Sequence, residues 1–199
     1  MLNGPSANLK DARSYDVVFV PFCLLCRGVV AEGLVKEYTS VVQPIVVELI
    51  RRNINLVQMP CPELHLGGFD KGLKRKPKLK TEYETNEFRD ICRLLSSKTA
   101  DLISAMHLQS YNIKCVLGIE YSPSCAVNYV YRSHSSSYSS NGYTSHEPGI
   151  FMEELKTVLK LRGVAVPFIG VHLRGMNKTL ESLKEILGLP IGDHQPALF

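Results

Sequence analysis

Four short apolar runs alternate with segments of helical periodicity, and this alternation constrains the fold more than any other feature. The runs are residues 17–21, 54–59, 114–119 and 164–171. Each is followed by a stretch whose apolar residues recur at helical spacing, namely 39–52, 83–111, 149–162 and 177–187. Alternating strands and helices favour parallel strands joined by right-handed crossovers. The sequence therefore predicts an α/β domain, a three-layer Rossmann-like fold with a parallel sheet of about four strands and helices on both faces.

The overall composition fits one soluble domain. The chain has 199 residues, 45% of them hydrophobic, and a formal net charge of +4, which suits a single core. Residues 1–15 are polar and contain no apolar run that could serve as a signal peptide, and no stretch approaches the about 20 apolar residues of a membrane span. We expect a cytoplasmic protein without a membrane partner, with one α/β domain over 16–189 and a C-terminal tail over 190–199.

Two segments depart from the strand and helix patterns. Residues 67–80 are rich in glycine and lysine, which indicates an exposed basic loop that is either simply solvated or contacts the phosphates of a nucleotide. Residues 129–148 are rich in serine and tyrosine, a composition typical of a flexible loop. Because this second loop follows the third predicted strand, two interpretations are open: a lid over a site at that edge, or a surface loop without a role. Its tyrosines could stack on a base.

Three of the six cysteines follow directly on predicted strands. Cys23 stands in Val-Pro-Phe-Cys-Leu-Leu, Cys61 in Met-Pro-Cys-Pro-Glu and Cys125 in Glu-Tyr-Ser-Pro-Ser-Cys. The carboxyl ends of neighbouring parallel strands lie at one edge of the sheet, where such folds bind ligands, so the three thiols can converge. Thiolates are ligands of zinc and of iron–sulfur clusters, and three of them leave a coordination position open for chemistry.

Ligand type alone leaves several interpretations open. Three thiolates suit a 4Fe–4S cluster with one iron free of protein, whereas zinc with Cys26 or a histidine as fourth ligand satisfies the same chemistry. His65, shortly after Cys61, is the only histidine placed to approach such a site. Three unrelated buried cysteines are the alternative without a metal, and burial as small hydrophobic residues is the interpretation we give to Cys92 and Cys115.

Taken in order, these motifs resemble the thiouracil desulfurase family, small iron–sulfur desulfidases first catalogued as a domain of unknown function. The resemblance rests on Cys-Leu-Leu near the N-terminus, Cys-Pro-Glu-Leu-His-Leu-Gly-Gly, and Gly-Ile-Glu-Tyr-Ser-Pro-Ser-Cys, and it covers about residues 17–130. The chain departs from the family pattern in a shorter first loop, where Cys26-Arg27-Gly28 follows at once, and in Ala126, where family members tend to have glycine.

The resemblance implies both a site and an activity. It implies a 4Fe–4S cluster held by Cys23, Cys61 and Cys125, whose fourth iron takes the sulfur removed from a thiolated nucleobase. It also implies an assisting serine and an assisting glutamate as catalytic residues. The serine maps onto Ser122, and Glu63 is our candidate for the glutamate.

Three hypotheses about function follow. The first is an enzyme, a cluster-dependent desulfurase that removes sulfur hydrolytically from a thiolated pyrimidine of the thiouracil or thiouridine type. Its partner would be a small thiolated nucleobase or nucleoside, or a thiolated tRNA. The second is a non-catalytic metal or cluster protein that acts as a sensor or carrier. The third is a metal-free nucleotide-binding α/β module, which the absence of a Gly-x-Gly-x-x-Gly or P-loop pattern disfavours.

Overall fold

A computed structural model of the chain describes residues 12–133 and 142–188. The predicted tail over 190–199 and most of the predicted polar segment over 1–15 lie outside the described residues. The strands are β1 Asp16–Pro21, β2 Asn55–Met59, β3 Asn112–Ile119, β4 Tyr129–Ser133, β5 Gly142–His146 and β6 Phe168–Val171. The α-helices are α1 Phe22–Leu25, α2 Gln43–Arg51, α3 Pro62–His65, α4 Phe69–Leu73, α5 Lys80–Tyr83, α6 Asn86–Leu108, α7 Ile150–Leu161 and α8 Met176–Leu187, and a 3-10 turn spans Arg27–Val29.

Four strands form a parallel sheet in the order β2-β1-β3-β6, which confirms the predicted fold class. The chain runs from β1 outward to β2, then returns across β1 so that β3 pairs on its other side. The strand order therefore reverses between β1 and β3. In open α/β sheets the crevice beyond the carboxyl ends of the strands at such a reversal is where ligands bind.

The sheet is covered on both faces by helices. On one face, Phe19 and Val116 belong to a buried cluster with side chains of α6 and α7. On the other face, Val18 and Leu117 pack in a cluster that includes Ile45 of α2 and Leu183 of α8. Because the central strands are buried on both faces, they read as almost continuous apolar runs rather than as alternating patterns. Within the described residues, no helix has the length and apolar character that a membrane span requires.

Prolines explain two differences from the predicted element boundaries. The helix predicted over 39–52 begins only at Gln43, with Pro44 in its first turn, where a missing N–H costs nothing. The strand predicted over 164–171 is reduced to Phe168–Val171. Pro167 lies immediately before it and has no N–H to continue the ladder, although its carbonyl still accepts from the Val116 N–H at 2.8 Å.

The prediction of an exposed basic loop over 67–80 is wrong in two respects. The segment contains α4 and the first residue of α5. Two of its cations are inside the structure: Arg75 pairs with Glu63 at 3.0 Å, and Lys80, 3% exposed, pairs with Glu147 at 2.5 Å. The acidic partners lie outside this segment of the sequence. A run of basic residues whose composition predicts exposure to solvent can therefore be partly buried in the fold.

The prediction of a loop over 129–148 is also wrong, because both of its arms are strands. β4 and β5 pair antiparallel, with Tyr129 opposite His146 and Ser133 opposite Gly142. Residues 134–141 between them lie outside the described residues. The guanidinium of Arg132 anchors the hairpin by pairing with Glu84 at 2.7 Å and with Glu147. The arms carry tyrosine, valine and threonine, which favour strands despite the surrounding serines.

A buried glutamate after β3 explains a glycine in β6. Glu120 is 5% exposed, and its carboxylate accepts hydrogen bonds from the backbone N–H groups of Asn128 (3.2 Å) and Tyr129 (2.9 Å). Gly170 lies beside this carboxylate, and a Cβ atom at that position would overlap it. The glycine therefore makes room for the group that fixes the start of the hairpin against the sheet.

We expect Gly170→Ala to lower the free energy of unfolding by at least about 2 kcal/mol, because the added methyl group displaces Glu120 from its backbone donors. Gly175→Ala is the matched control, since its Cβ would meet only the Cβ of His172 at 3.5 Å, an ordinary contact. Urea unfolding followed by circular dichroism measures both variants. Equal stability of the two would contradict the packing role assigned to Gly170.

Candidate functional site

The three cysteines predicted as ligands follow three adjacent strands of the sheet. Cys23 lies in α1, which begins directly after β1. Cys61 is the residue before α3, just beyond β2, and Pro60 and Pro62 stiffen the backbone on either side of it. Cys125 follows the turn that leaves β3. All three therefore stand at the carboxyl edge of β2, β1 and β3, around the point where the strand order reverses.

The three cysteines lie at the border of two buried clusters, with Cys61 in one and Cys125 in the other, and Cys23 is half-buried. Cys61 is buried in a cluster with Val29 and Leu64, and Cys23 and Cys26 pack against that cluster. Cys125 is 5% exposed. Burial raises the pKa of the Cys125 thiol well above its ordinary value, and the neighbouring Cys61 and Cys23 raise it further. The three cysteines are therefore near enough for a charge on one to raise the pKa of another.

Burial also determines the protonation of the other two thiols. Loss of solvation raises the pKa of Cys23 to about 11, although the Arg27 guanidinium opposes the shift. Loss of solvation, with a further contribution from Glu63, raises the pKa of Cys61 to about 12. At neutral pH these groups are therefore neutral thiols in the metal-free protein, and a metal that binds them must displace their protons.

The donor set consists of thiols, which both zinc and iron–sulfur clusters accept. A lone zinc needs its thiolates to converge on one point, each about 2.3 Å from the metal. Over residues 12–133 and 142–188, no three His, Cys, Asp or Glu side chains are grouped to hold one metal ion. A 4Fe–4S cubane takes its protein thiolates on different iron atoms, so its sulfur ligands need not meet at one point.

A buried arginine beside Cys23 also fits a negatively charged group at this place. Arg27 is 4% exposed, and its Nη1 donates to the carbonyl oxygen of Cys23 at 3.3 Å. Its Nε is buried and has no hydrogen-bond partner among the described residues. A guanidinium is always charged, so a buried one with an unused donor suits an acceptor of opposite charge, such as an iron–sulfur core with its thiolates.

Glu63 is held in the site by three side chains. It follows Cys61 in the first turn of α3 and is 9% exposed. Its Oε2 accepts from Arg75 Nε at 3.0 Å and from Tyr83 Oη at 3.4 Å, and its Oε1 accepts from Ser124 Oγ at 2.6 Å. Burial and the Glu63 charge raise the pKa of Tyr83, so its phenol stays a donor. This pairing is the compensation that a buried carboxylate requires.

Two serines connect Glu63 to the turn that carries Cys125. Ser124 Oγ lies 3.3 Å from Ser122 Oγ and 3.4 Å from Cys125 Sγ. Ser122 Oγ also accepts from the N–H of Cys125 at 3.1 Å, which stabilises the turn. Because the Ser124 hydroxyl proton points to Glu63, Ser122 must donate to Ser124. The hydroxyls therefore form a directed chain from Ser122 through Ser124 to the carboxylate.

Several residues of this site are not predicted by the sequence. Ser124 stands inside the quoted motif, but the resemblance points only to its neighbour Ser122. Arg75 falls in the segment predicted as an exposed loop and Tyr83 at the start of a predicted helix, and nothing in their local sequence points to Glu63. The buried position of Arg27 likewise has no signal in the sequence around it.

Two residues that the sequence placed near the site have other contacts. His65 Nδ1 lies 2.9 Å from the carbonyl oxygen of Cys61, and its ring packs against Phe69 with centroids 5.0 Å apart. One ring nitrogen is thus engaged with the backbone. Cys26 is half-buried beside the cluster formed by Val29, Cys61 and Leu64.

Comparison with known proteins gives two similarities. No family model matches the chain. The uncharacterized protein MJ0003 of Methanocaldococcus jannaschii is 31% identical to this chain over 97 residues. The matched region covers 49% of this chain and 54% of that relative, so the chain spans about half of the relative's length. Among solved structures, the chain is similar to the 4Fe-4S-dependent thiouracil desulfidase TudS, with a TM-score of 0.48 and 16% identity over 85% of this chain and 99% of that chain.

Proposed function

We propose that the protein is a hydrolytic desulfurase of thiolated pyrimidines that holds a 4Fe–4S cluster on Cys23, Cys61 and Cys125. One observation supports the proposal: Cys23, Cys61 and Cys125 follow three adjacent strands, and Ser124, the residue before Cys125, donates to Glu63, two residues after Cys61. The motif resemblance supports the same assignment.

The reaction exchanges the sulfur of a thiocarbonyl group for oxygen. Water adds to the electrophilic carbon, the carbon–sulfur bond breaks, and the products are a ring carbonyl and hydrogen sulfide. Atoms balance and no electrons are transferred. When bound, the cluster supplies an iron with a free coordination position, a soft Lewis acid that prefers sulfur to oxygen.

The residues of the chain supply the proton transfer. Attack by water releases a proton, and the chain of hydroxyls from Ser122 to Ser124 leads it to the carboxylate of Glu63, which acts as general base. Arg75 and Tyr83 keep the carboxylate in position without occupying the oxygen that faces Ser124. Ser122 stands at the outer end of this chain, so it is the hydroxyl placed to contact the water or the ring.

The decisive experiment is anaerobic reconstitution with iron and sulfide, followed by an assay with a thiouracil. We expect a brown protein that absorbs near about 400 nm, from sulfur-to-iron charge transfer, and that releases sulfide from the thiouracil. Cys23→Ala, Cys61→Ala and Cys125→Ala should each lose most of this absorbance, whereas Cys115→Ala, a core residue of β3, should keep it. Retention of the absorbance by all three ligand variants would overturn the assignment. A loaded protein that releases no sulfide from any thiolated base would be a sensor or carrier instead.

Removal of the proton path should slow turnover without removing the cluster. We expect Glu63→Gln to lower kcat by about 10²–10⁴-fold, because the neutral amide keeps the shape but cannot accept a proton, and we expect Ser122→Ala and Ser124→Ala to lower it as well. Ser96→Ala is the control, since Ser96 is a buried serine whose hydroxyl donates to Phe151 in the helical layer. Steady-state sulfide release is measured on samples matched by absorbance. Unchanged kcat in Glu63→Gln would exclude the carboxylate as the base.

Loss of the buried guanidinium should weaken the hold on the cluster. Arg27→Met removes a positive charge and a free donor beside Cys23, so we expect the affinity for the cluster to fall by about 10- to 100-fold. The measurement is the iron released against increasing chelator concentration. Arg162→Met, which breaks an ion pair with Asp101 at the far end of α7, should leave iron retention unchanged. Equal retention in both variants would mean that Arg27 has no contact with the bound group.

A further inference from the structure

A partly exposed aromatic cluster lies on the same edge of the sheet as the cysteines. We call it the aromatic rim, and its members are Tyr121, Tyr129, Tyr131, His146 and His172. The rings of Tyr121 and Tyr131 are stacked, with centroids 4.9 Å apart and planes 26° apart. The ring of Tyr129 is also stacked with that of Tyr121, with centroids 6.5 Å apart and planes 29° apart. His172 meets Tyr121 edge-on at 6.0 Å, and His146 meets Tyr129 edge-on at 5.0 Å.

The aromatic rim is continuous with the candidate site. Tyr121 immediately precedes Ser122, the outer hydroxyl of the proton path. The hairpin is fixed to the same position, because the Tyr121 N–H donates to the Tyr129 carbonyl at 2.7 Å and Tyr121 bridges to Val130. His172 follows β6, the strand beside β3. A molecule bound at the cysteines and extending toward β6 therefore meets these rings.

Burial does not explain why the rings are arranged this way. Tyr121 is 39% exposed and Tyr131 is 46% exposed, so a large part of each ring faces solvent. Tyr121 also has φ 68°, a left-handed conformation that is rare for a bulky residue and is associated with functional sites. The chain therefore keeps a strained backbone to present a flat, stacked pair of rings to the outside.

The edge also carries an unpaired positive charge. Arg174 follows His172 in the loop after β6 and is exposed. It has no ion-pair partner in the part of the chain that the structure describes. Aromatic faces and a cation at one edge of a protein are the two elements with which proteins bind single-stranded nucleic acid, the rings for bases and the cation for phosphate.

We propose that the aromatic rim is a stacking site for a second base, so that the substrate is a thiolated pyrimidine within a single-stranded RNA segment. This inference rests on the proposed function for the base that reacts. The reacting base lies at the cysteines, and the neighbouring base lies on the exposed face of the Tyr121–Tyr131 pair. Arg174 contacts a phosphate of the same RNA segment. A free pyrimidine base has no second ring to occupy this surface.

The chain contains no tryptophan, which gives a direct test. Tyr131→Trp introduces a single tryptophan at the aromatic rim, whose emission can be followed separately from that of the tyrosines, while keeping a ring that can stack. In the full chain reconstituted with its cluster, we expect a ten-nucleotide oligouridylate to quench this fluorescence saturably, with at least about 10-fold higher affinity than uridine. Tyr121→Ala in the same background should weaken binding by about 10-fold or more, and Tyr121→Phe should keep it. Arg174→Ala should reduce the slope of log affinity against log salt by about 0.7.

A second tyrosine pair, in which Tyr15 is exposed and Tyr111 is half-buried, is the control. Tyr15 and Tyr111 lie together at the opposite, amino edge of the sheet, with centroids 5.1 Å apart. Tyr15→Trp should show no quenching by the oligonucleotide. Equal quenching of both tryptophan variants would mean non-specific association, and no quenching of Tyr131→Trp would mean that the rim does not bind bases. Either result would overturn the proposal.

The outcome separates this inference from the proposed function. Sulfide release from free thiouracil by the wild-type protein, together with no quenching in Tyr131→Trp, would reject the stacking site and keep the desulfurase. Quenching specific to Tyr131→Trp, together with no sulfide release from either a free or an RNA-borne thiolated base, would keep the stacking site and reject the desulfurase.

Discussion

The buried carboxylate of Glu63 holds the candidate site together. Its partners come from three separate parts of the chain: Arg75 from the segment after α4, Tyr83 from α5 and Ser124 from the turn after β3. A buried charge is stable only when paired and hydrogen-bonded, so the fold must hold all three segments together to satisfy it. In doing so it fixes the turn that carries Cys125 against the helix that follows Cys61.

Burial has two opposite consequences for the cysteines. It raises their pKa values, so the metal-free thiols are neutral and neighbouring sulfurs do not repel each other. The same low-dielectric surroundings strengthen any interaction with a bound cluster once the thiols have lost their protons. Arg27, buried and beside Cys23, is the cation placed to offset the negative charge that would then accumulate.

The sheet and the position of the cysteines at one edge of it could be predicted because both follow from local pattern and general topology. The apolar runs indicated the strands, and their alternation with helices predicted that the strands are parallel. The carboxyl ends of parallel strands lie side by side, so the residues just beyond them were predicted to lie at one edge of the sheet. The hairpin was missed because its serine-rich composition resembles a loop, and because the ion pairs that anchor it, from Arg132 to Glu84 and Glu147, cannot be read from local pattern. The roles of Arg75 and Ser124 depend on which side chains face Glu63, and only three-dimensional packing decides that.

The proposed function requires that three thiols beyond the sheet hold an iron–sulfur core rather than a single metal ion or nothing. Its sharpest test is the content of iron and acid-labile sulfide per chain in protein purified without oxygen. We expect about four of each, as a cubane requires. About one zinc per chain without sulfide, or protein free of both iron and sulfide after reconstitution, would contradict the proposal.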